Sequence, residues 1–145
     1  MRILVDADAC PVKDIIVKLA KSRGVHVIML CDTSHVLHDG YSEIITVDKA
    51  QDSVDIALVN RLKPSDVVIS QDYGVAAMSL GKGCRVFNQN GQEYDDNNID
   101  RLLFERHLSQ KIRRSGGRTS GNKKRSKDDD VSFEAALLSV LDSNL

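Results

Sequence analysis

Short apolar runs alternate with helix-period stripes along this chain. Ile3, Leu4 and Val5 stand together and stop at Asp6, which predicts a buried strand over 2–7. Pro11 suits a first helical turn, and Val12, Ile15, Ile16, Leu19 and Ala20 then recur at helical spacing as far as Gly24. Residues 25–31, VHVIMLC, and 43–48, EIITVD, predict two more strands, joined by the polar stretch DTSHVLHDGY. A helix over 52–62 carries Val54, Ala57, Leu58 and Leu62 on one face and closes at Lys63-Pro64. DVVIS, 66–70, is a fourth strand, 75–81 a short helix stopped by Gly81 and Gly83, and CRVFN, 84–88, a fifth strand running into the turn NQNG. Residues 97–109 predict a helix. A last one over 131–142 aligns Phe133, Ala136, Leu137, Val140 and Leu141.

Strands of this apolar kind, alternating with helices, predict an α/β fold. Its doubly wound, mostly parallel sheet has about five strands and helices on both faces. In such sheets ligands sit beyond the carboxyl ends of the strands, at the switch in strand order.

Composition fits a single folded unit: 145 residues, 41% hydrophobic and 28% charged. With no Trp, three Phe and three Tyr, the core is aliphatic and a base-stacking platform of aromatics is not expected. Three widely spaced cysteines suit buried thiols better than a disulfide framework or a zinc site. No apolar run approaches a membrane span, and Asp6 interrupts any signal-peptide core, so the expected location is the cytoplasm. The net charge of −1 hides a division. Residues 111–127, KIRRSGGRTSGNKKRSK, hold eight of the 20 Lys and Arg and no acid, leaving a strongly acidic remainder. The expected organisation is an α/β domain over 1–110, a basic Gly/Ser-rich loop over 111–130, and a helix over 131–145 packing back on the domain.

The acids carry the candidate chemistry. Asp6 and Asp8 fall at the end of the first strand, Asp72 just past the fourth, Asp55 in the first turn of the intervening helix, and Asn88 ends the fifth strand. If the first and fourth strands are neighbours, Asp6 and Asp72 face each other. Crowded carboxylates repel one another, and a hard divalent cation such as Mg²⁺ or Mn²⁺ relieves that repulsion. The pattern therefore points to a metal-dependent phosphodiesterase, with Asp6, Asp55 and Asp72 as catalytic residues and those three plus Asp8 as metal ligands. Each acid alone also has a plainer reading: Asp8, Asp52 and Asp72 stand where helix caps stand.

VDADACPVK near the start, SDVVISQDYGVAA in the middle and SGGRTSG later resemble the YaiI/YqxD family of uncharacterised bacterial proteins, over essentially the whole chain. That family is similar in fold class to PIN and NYN domains, compact metal-dependent ribonucleases. The resemblance implies that Asp6 matches the acid ending the first strand, Asp72 the acid ending the fourth and Asp55 the acid on the helix between. Asn88 would take the final polar position. Asp8 has no counterpart there and rests on spacing alone.

The basic segment supplies candidate phosphate ligands, with Arg114, Arg118, Lys123 and Lys124 foremost and Arg113 and Arg125 beside them; its plain reading is a solvated loop balancing the acidic body. His35, His38 and Cys10 are weaker candidates. Three functions follow. The leading one is a PIN-like, Mg²⁺- or Mn²⁺-dependent nuclease acting on RNA. The others are a haloacid-dehalogenase-like phosphatase with Asp6 as nucleophile, and a non-catalytic RNA- or ribosome-binding module.

Overall fold

The structure, a computed structural model, describes residues 1–33, 36–48, 53–118 and 124–143. Its elements, in chain order, are β1 (Arg2–Asp6), α1 (Lys13–Arg23), β2 (His26–Asp32), β3 (Glu43–Val47), α2 (Val54–Arg61), β4 (Val67–Ile69), α3 (Tyr73–Gly81), β5 (Arg85–Phe87), β6 (Glu93–Tyr94), α4 (Asp96–Arg114) and α5 (Lys127–Ser143). One sheet has the order β3-β2-β1-β4-β5-β6. The first five strands are parallel, with Val5 opposite Met29 on one side and Ile69 on the other; β6 runs antiparallel to β5. The strand order reverses between β1 and β4, so the switch-point crevice opens there.

Side chains alternate across each strand, and both faces of this sheet are covered, which is why its strands read as unbroken apolar runs. Ile3, Val5, Val27 and Met29 point to one face, under Ile16 and Leu19 of α1 and Phe133, Leu137 and Leu141 of α5. Leu4, Ile28, Val68 and Val86 point to the other, under Leu58 of α2, Val75 of α3 and Ile99 of α4. Arg2 ties the start of β1 to the start of β4, donating to Asp66 Oδ1 at 3.2 Å and Oδ2 at 2.6 Å. Burial alone would raise the Asp66 carboxyl, but the Arg2 guanidinium and the Lys63 amide outweigh it and hold it below its ordinary range.

Several elements differ from expectation, α3 among them, which starts at Tyr73 rather than 75. Strand β6 is a sixth strand, two residues long, too short to leave an alternating pattern. Helix α4 starts at a capping box between Asp95 and Asn98 and runs past the expected end at 109, across the boundary at 110, to Arg114. Lys111, Arg113 and Arg114 are good helix formers, and their charge suits a helix carboxyl end, so the basic segment starts as helix. Helix α5 begins at Lys127 rather than 131, with Asp128, Asp129 and Asp130 in its first turn, where the helix dipole favours acids. Among the described residues, no helix is long and apolar enough to cross a membrane.

Candidate active site

The carboxyl ends of β1 and β4 bring Asp6, Asp8, Ser70 and Asp72 to the crevice. Asp6 closes β1, half-buried, and its Oδ2 accepts from Ser70 Oγ at 3.2 Å. The same hydroxyl oxygen accepts from the Asp72 amide at 3.0 Å, so one Ser links the two strand ends. Burial pushes the Asp6 carboxyl up to about 6, and the charges of Asp72, Asp8 and Asp55 add to the rise. The other three acids act on Asp6 through their charge, but of the four only Asp6 and Asp8 line the cavity there.

Their other contacts separate them. Asp72 is the N-cap of α3: its Oδ1 accepts from the Gly74 and Val75 amides at 2.7 and 3.2 Å. Asp8 does not cap α1, whose N-cap is Val12 with no side-chain bond. Instead its carboxylate accepts from the Asp32 amide at 3.2 Å, fastening the turn after β1 to the end of β2. Asp55, half-buried in the first turn of α2, accepts from the neighbouring Ile56 amide at 2.9 Å. Asn88 Oδ1 accepts from the Asn90 and Gln92 amides and holds the turn after β5. Asp52 and His35 lie outside the described residues, and His38 is exposed. Burial raises the Cys10 thiol, which disfavours a nucleophilic thiolate there.

The turn from β1 into α1 is strained. Ala9 holds φ 59°, the left-handed region, while Gln71 Nε2 donates to its carbonyl at 3.0 Å. Replacing Ala9 with Gly is expected to stabilise the fold by up to about 1 kcal/mol, the left-handed penalty less the entropy of a glycine. An unchanged or lower urea midpoint would remove strain from this turn.

A small cavity, about 20 Å³, opens on Asp6, Asp8, Cys10 and Gln89. Gln89, which lines that cavity, has its Oε1 buried with no hydrogen-bond partner. Among the described residues, no three His, Cys, Asp or Glu side chains stand close enough to cage a metal. The arrangement fits a different demand: Mg²⁺ commonly takes one or two carboxylates and keeps waters, and an amide oxygen is an acceptable further donor. Asp6 and Asp8 are the two carboxylates on that cavity, with Gln89 also lining it. The sequence pointed to Asp6 and Asp8 but read Gln89 only as part of a turn.

The basic candidates divide as well. Arg114, Arg118 and Lys124 are exposed, and Lys123 lies outside the described residues. Arg125 has a structural task. It donates to Asp130 Oδ1 at 2.8 Å, to Asn90 Oδ1 at 2.7 Å and to the Gln89 carbonyl at 2.8 Å, pinning the β5–β6 turn to the start of α5. The cation that meets a site acid among the described residues is Arg106 of α4, 3.9 Å from Asp72 Oδ1. It was hidden in a stretch read only as helix.

The model of the family described as "Uncharacterized BCR, YaiI/YqxD family" matches residues 4–143. A UPF0178 protein of Ruminiclostridium cellulolyticum is 69% identical over 138 residues, 95% of this chain and 90% of the relative. One from Alkaliphilus oremlandii is 52% identical over 145 residues, 100% of this chain and 94% of the relative. Among solved structures, that of Rae1 (YacP) from Bacillus subtilis aligns over 100% of both chains at 16% identity and a TM-score of 0.47. From the reach of the family match and the identity to these relatives, the chain belongs to the YaiI/YqxD family of uncharacterised proteins.

Proposed function

We propose that this protein is a PIN-like nuclease that hydrolyses RNA phosphodiesters with Mg²⁺ or Mn²⁺. The observation that carries this reading is Asp6. It is a desolvated carboxyl at the end of a central strand, at the switch point, with three more acids raising its proton affinity. Helix capping explains Asp72 but not that concentration of negative charge, which costs the fold stability unless a cation offsets it.

A bound divalent ion would supply a water of lowered pKa and neutralise charge on the phosphoryl oxygens. Asp6 would hold the ion, with Asp8 and the Gln89 amide oxygen as further donors on the same cavity. Ser70 fixes the Asp6 carboxylate and, through the Asp72 amide, its distance from α3. Asp72 and Asp55 add negative potential that draws a cation in. Arg106 stands where a phosphate approaching Asp72 would meet a guanidinium fork. Arg114, Arg118 and Lys124 would hold flanking phosphates, in a salt-dependent manner, with Lys123 in the same role.

The test is cleavage of end-labelled single-stranded RNA with Mn²⁺, by the intact chain and by Asp72→Asn. Asn caps helices as well as Asp does, so this change keeps α3 and removes the charge. Cleavage that EDTA stops and Asp72→Asn reduces at least tenfold is expected. RNA binding without cleavage would overturn the reading in favour of a non-catalytic RNA-binding module.

A further inference from the structure

A second and larger cleft, about 250 Å³, lies beside the acidic site between the start of α3, the β5–β6 turn and the first turns of α4. Tyr73, Leu102, Gln92 and Arg101 line it. Tyr73 is held edge-on against buried Tyr94, with ring centroids 5.9 Å apart and planes at 69°. Tyr94 is anchored in turn, its hydroxyl donating to the Ser70 carbonyl at 3.3 Å.

The polar wall is partly committed to the fold. Asn88 Nδ2 donates to Gln92 Oε1 at 2.9 Å, which leaves the Gln92 amide nitrogen as a donor on the cleft. Asn98, also on the wall, completes the cap of α4. Arg101 meets Glu105 at 3.4 Å through one nitrogen, with a side chain 65% exposed. An aromatic ring, an aliphatic side chain, an amide donor and a guanidinium together suit a flat heterocycle with acceptor groups on its edge.

Position makes the cleft informative. Tyr73 directly follows Asp72, and Arg106 lies one helical turn beyond Leu102, about 6 Å along the axis. We infer that this cleft is a subsite for one unpaired nucleotide of a single-stranded nucleic acid, its base against Tyr73 and its phosphate toward Arg106. The inference deepens the proposed function, and rests on it for the placing of the phosphate at the acidic site. A base inside a duplex is stacked on both faces and paired on its edge, so it does not enter. The recognised strand is therefore single.

The test separates binding from cleavage. Fluorescence anisotropy in EDTA compares a labelled single-stranded RNA octamer, the DNA of the same sequence and the RNA duplex. They are titrated against the intact chain and against Tyr73→Leu, Gln92→Ala and Arg101→Gln. Single strands are expected to bind at least tenfold tighter than duplex. Tyr73→Leu should weaken single-strand binding about tenfold, the scale of one lost stacked base, and leave duplex binding unchanged. Gln92→Ala and Arg101→Gln, on cleft-lining residues outside the core, should each weaken it severalfold, which covers the case in which Tyr73→Leu disturbs packing. Equal affinity for RNA and DNA identifies base and phosphate as the recognised groups, and tighter RNA binding adds the 2′-hydroxyl; both support the subsite. Equal affinity for single strand and duplex, or unchanged single-strand affinity in the three variants, overturns it. Single-strand binding that depends on Tyr73, without Mn²⁺-dependent cleavage, keeps the subsite and removes the nuclease; cleavage with binding indifferent to Tyr73 does the reverse.

Discussion

Replacing Asp6 with Asn is expected to make the metal-free protein more stable at neutral pH while removing its metal response and its proposed cleavage. Burial, and then the neighbouring acids, raise the folded-state carboxyl to about 6, whereas an unfolded Asp titrates near 3.9. The folded state therefore holds the proton more tightly. Stability falls as pH rises from about 4 to about 6, and the loss is complete above that window. Because the carboxyl remains partly wet, the full shift overstates the cost, and about 1 kcal/mol is a fair expectation at neutral pH. That corresponds to a melting temperature higher by roughly 3 °C in Asp6→Asn. Saturating Mn²⁺ should raise the melting temperature of the unaltered chain and leave the variant unmoved. Cleavage should fall about 1000-fold, the several kcal/mol that a metal contributes to a phosphoryl transition state. Melts from acid to neutral pH, with and without Mn²⁺, check this. An Asp6→Asn melting temperature equal to or below that of the parent throughout would end the idea of an electrostatically strained site.

Gly91→Ala is expected to cost about 3 kcal/mol, through two additive causes. Gly91 adopts φ 82° in the β5–β6 turn, a conformation that costs an L side chain about 1–2 kcal/mol. A Cβ there would stand 2.7 Å from the Ser132 carbonyl oxygen and 3.0 Å from Phe133 Cα, both backbone atoms of α5. Backbone cannot swing aside like a long side chain, so the turn and α5 must part, with overpacking penalties of about 1–3 kcal/mol. Gly24, the left-handed C-cap of α1 at φ 66°, has nothing within 4 Å of an added Cβ. Gly24→Ala should therefore lose only the conformational share, about 1 kcal/mol. Urea unfolding of the two variants compares them directly. Equal losses would mean that the close approach to α5 contributes nothing.

The strand ends were legible because Asp6 and Asp72 interrupt apolar runs, and punctuation by Pro64, Gly81 and Gly83 sets the element order. Order and parallel pairing together place the acids at one crevice, which is why their shared location follows from a linear pattern. What was not legible depends on long-range partners. Arg125 reads as a phosphate ligand in its basic neighbourhood, yet its partners Gln89 and Asn90 lie 36 and 35 residues away. Asp8 reads as a cap, but the amide it meets belongs to a strand 24 residues on. Arg106 shows nothing special until α3 and α4 pack together. Gln89 stands out only through a partner it lacks, a property no composition or spacing can express.

The order in which the sheet's two faces receive their helices bears on how the chain is made. The face under α2, α3 and α4 is covered by residue 103, but the other needs Phe133, Leu137 and Leu141 of α5 beside α1. During synthesis at about 5–20 residues per second, the 56 residues from the end of β5 to the end of α5 take about 3–11 s to emerge. For that interval the finished parallel strands carry an apolar face with half its cover missing. A nascent chain that stalls after α4 would expose Val5, Val27 and Met29, a surface for chaperones to hold. The anchoring of α5 by Arg23 to Asp142 at 2.9 Å is then a late, closing event, spanning 119 residues of chain.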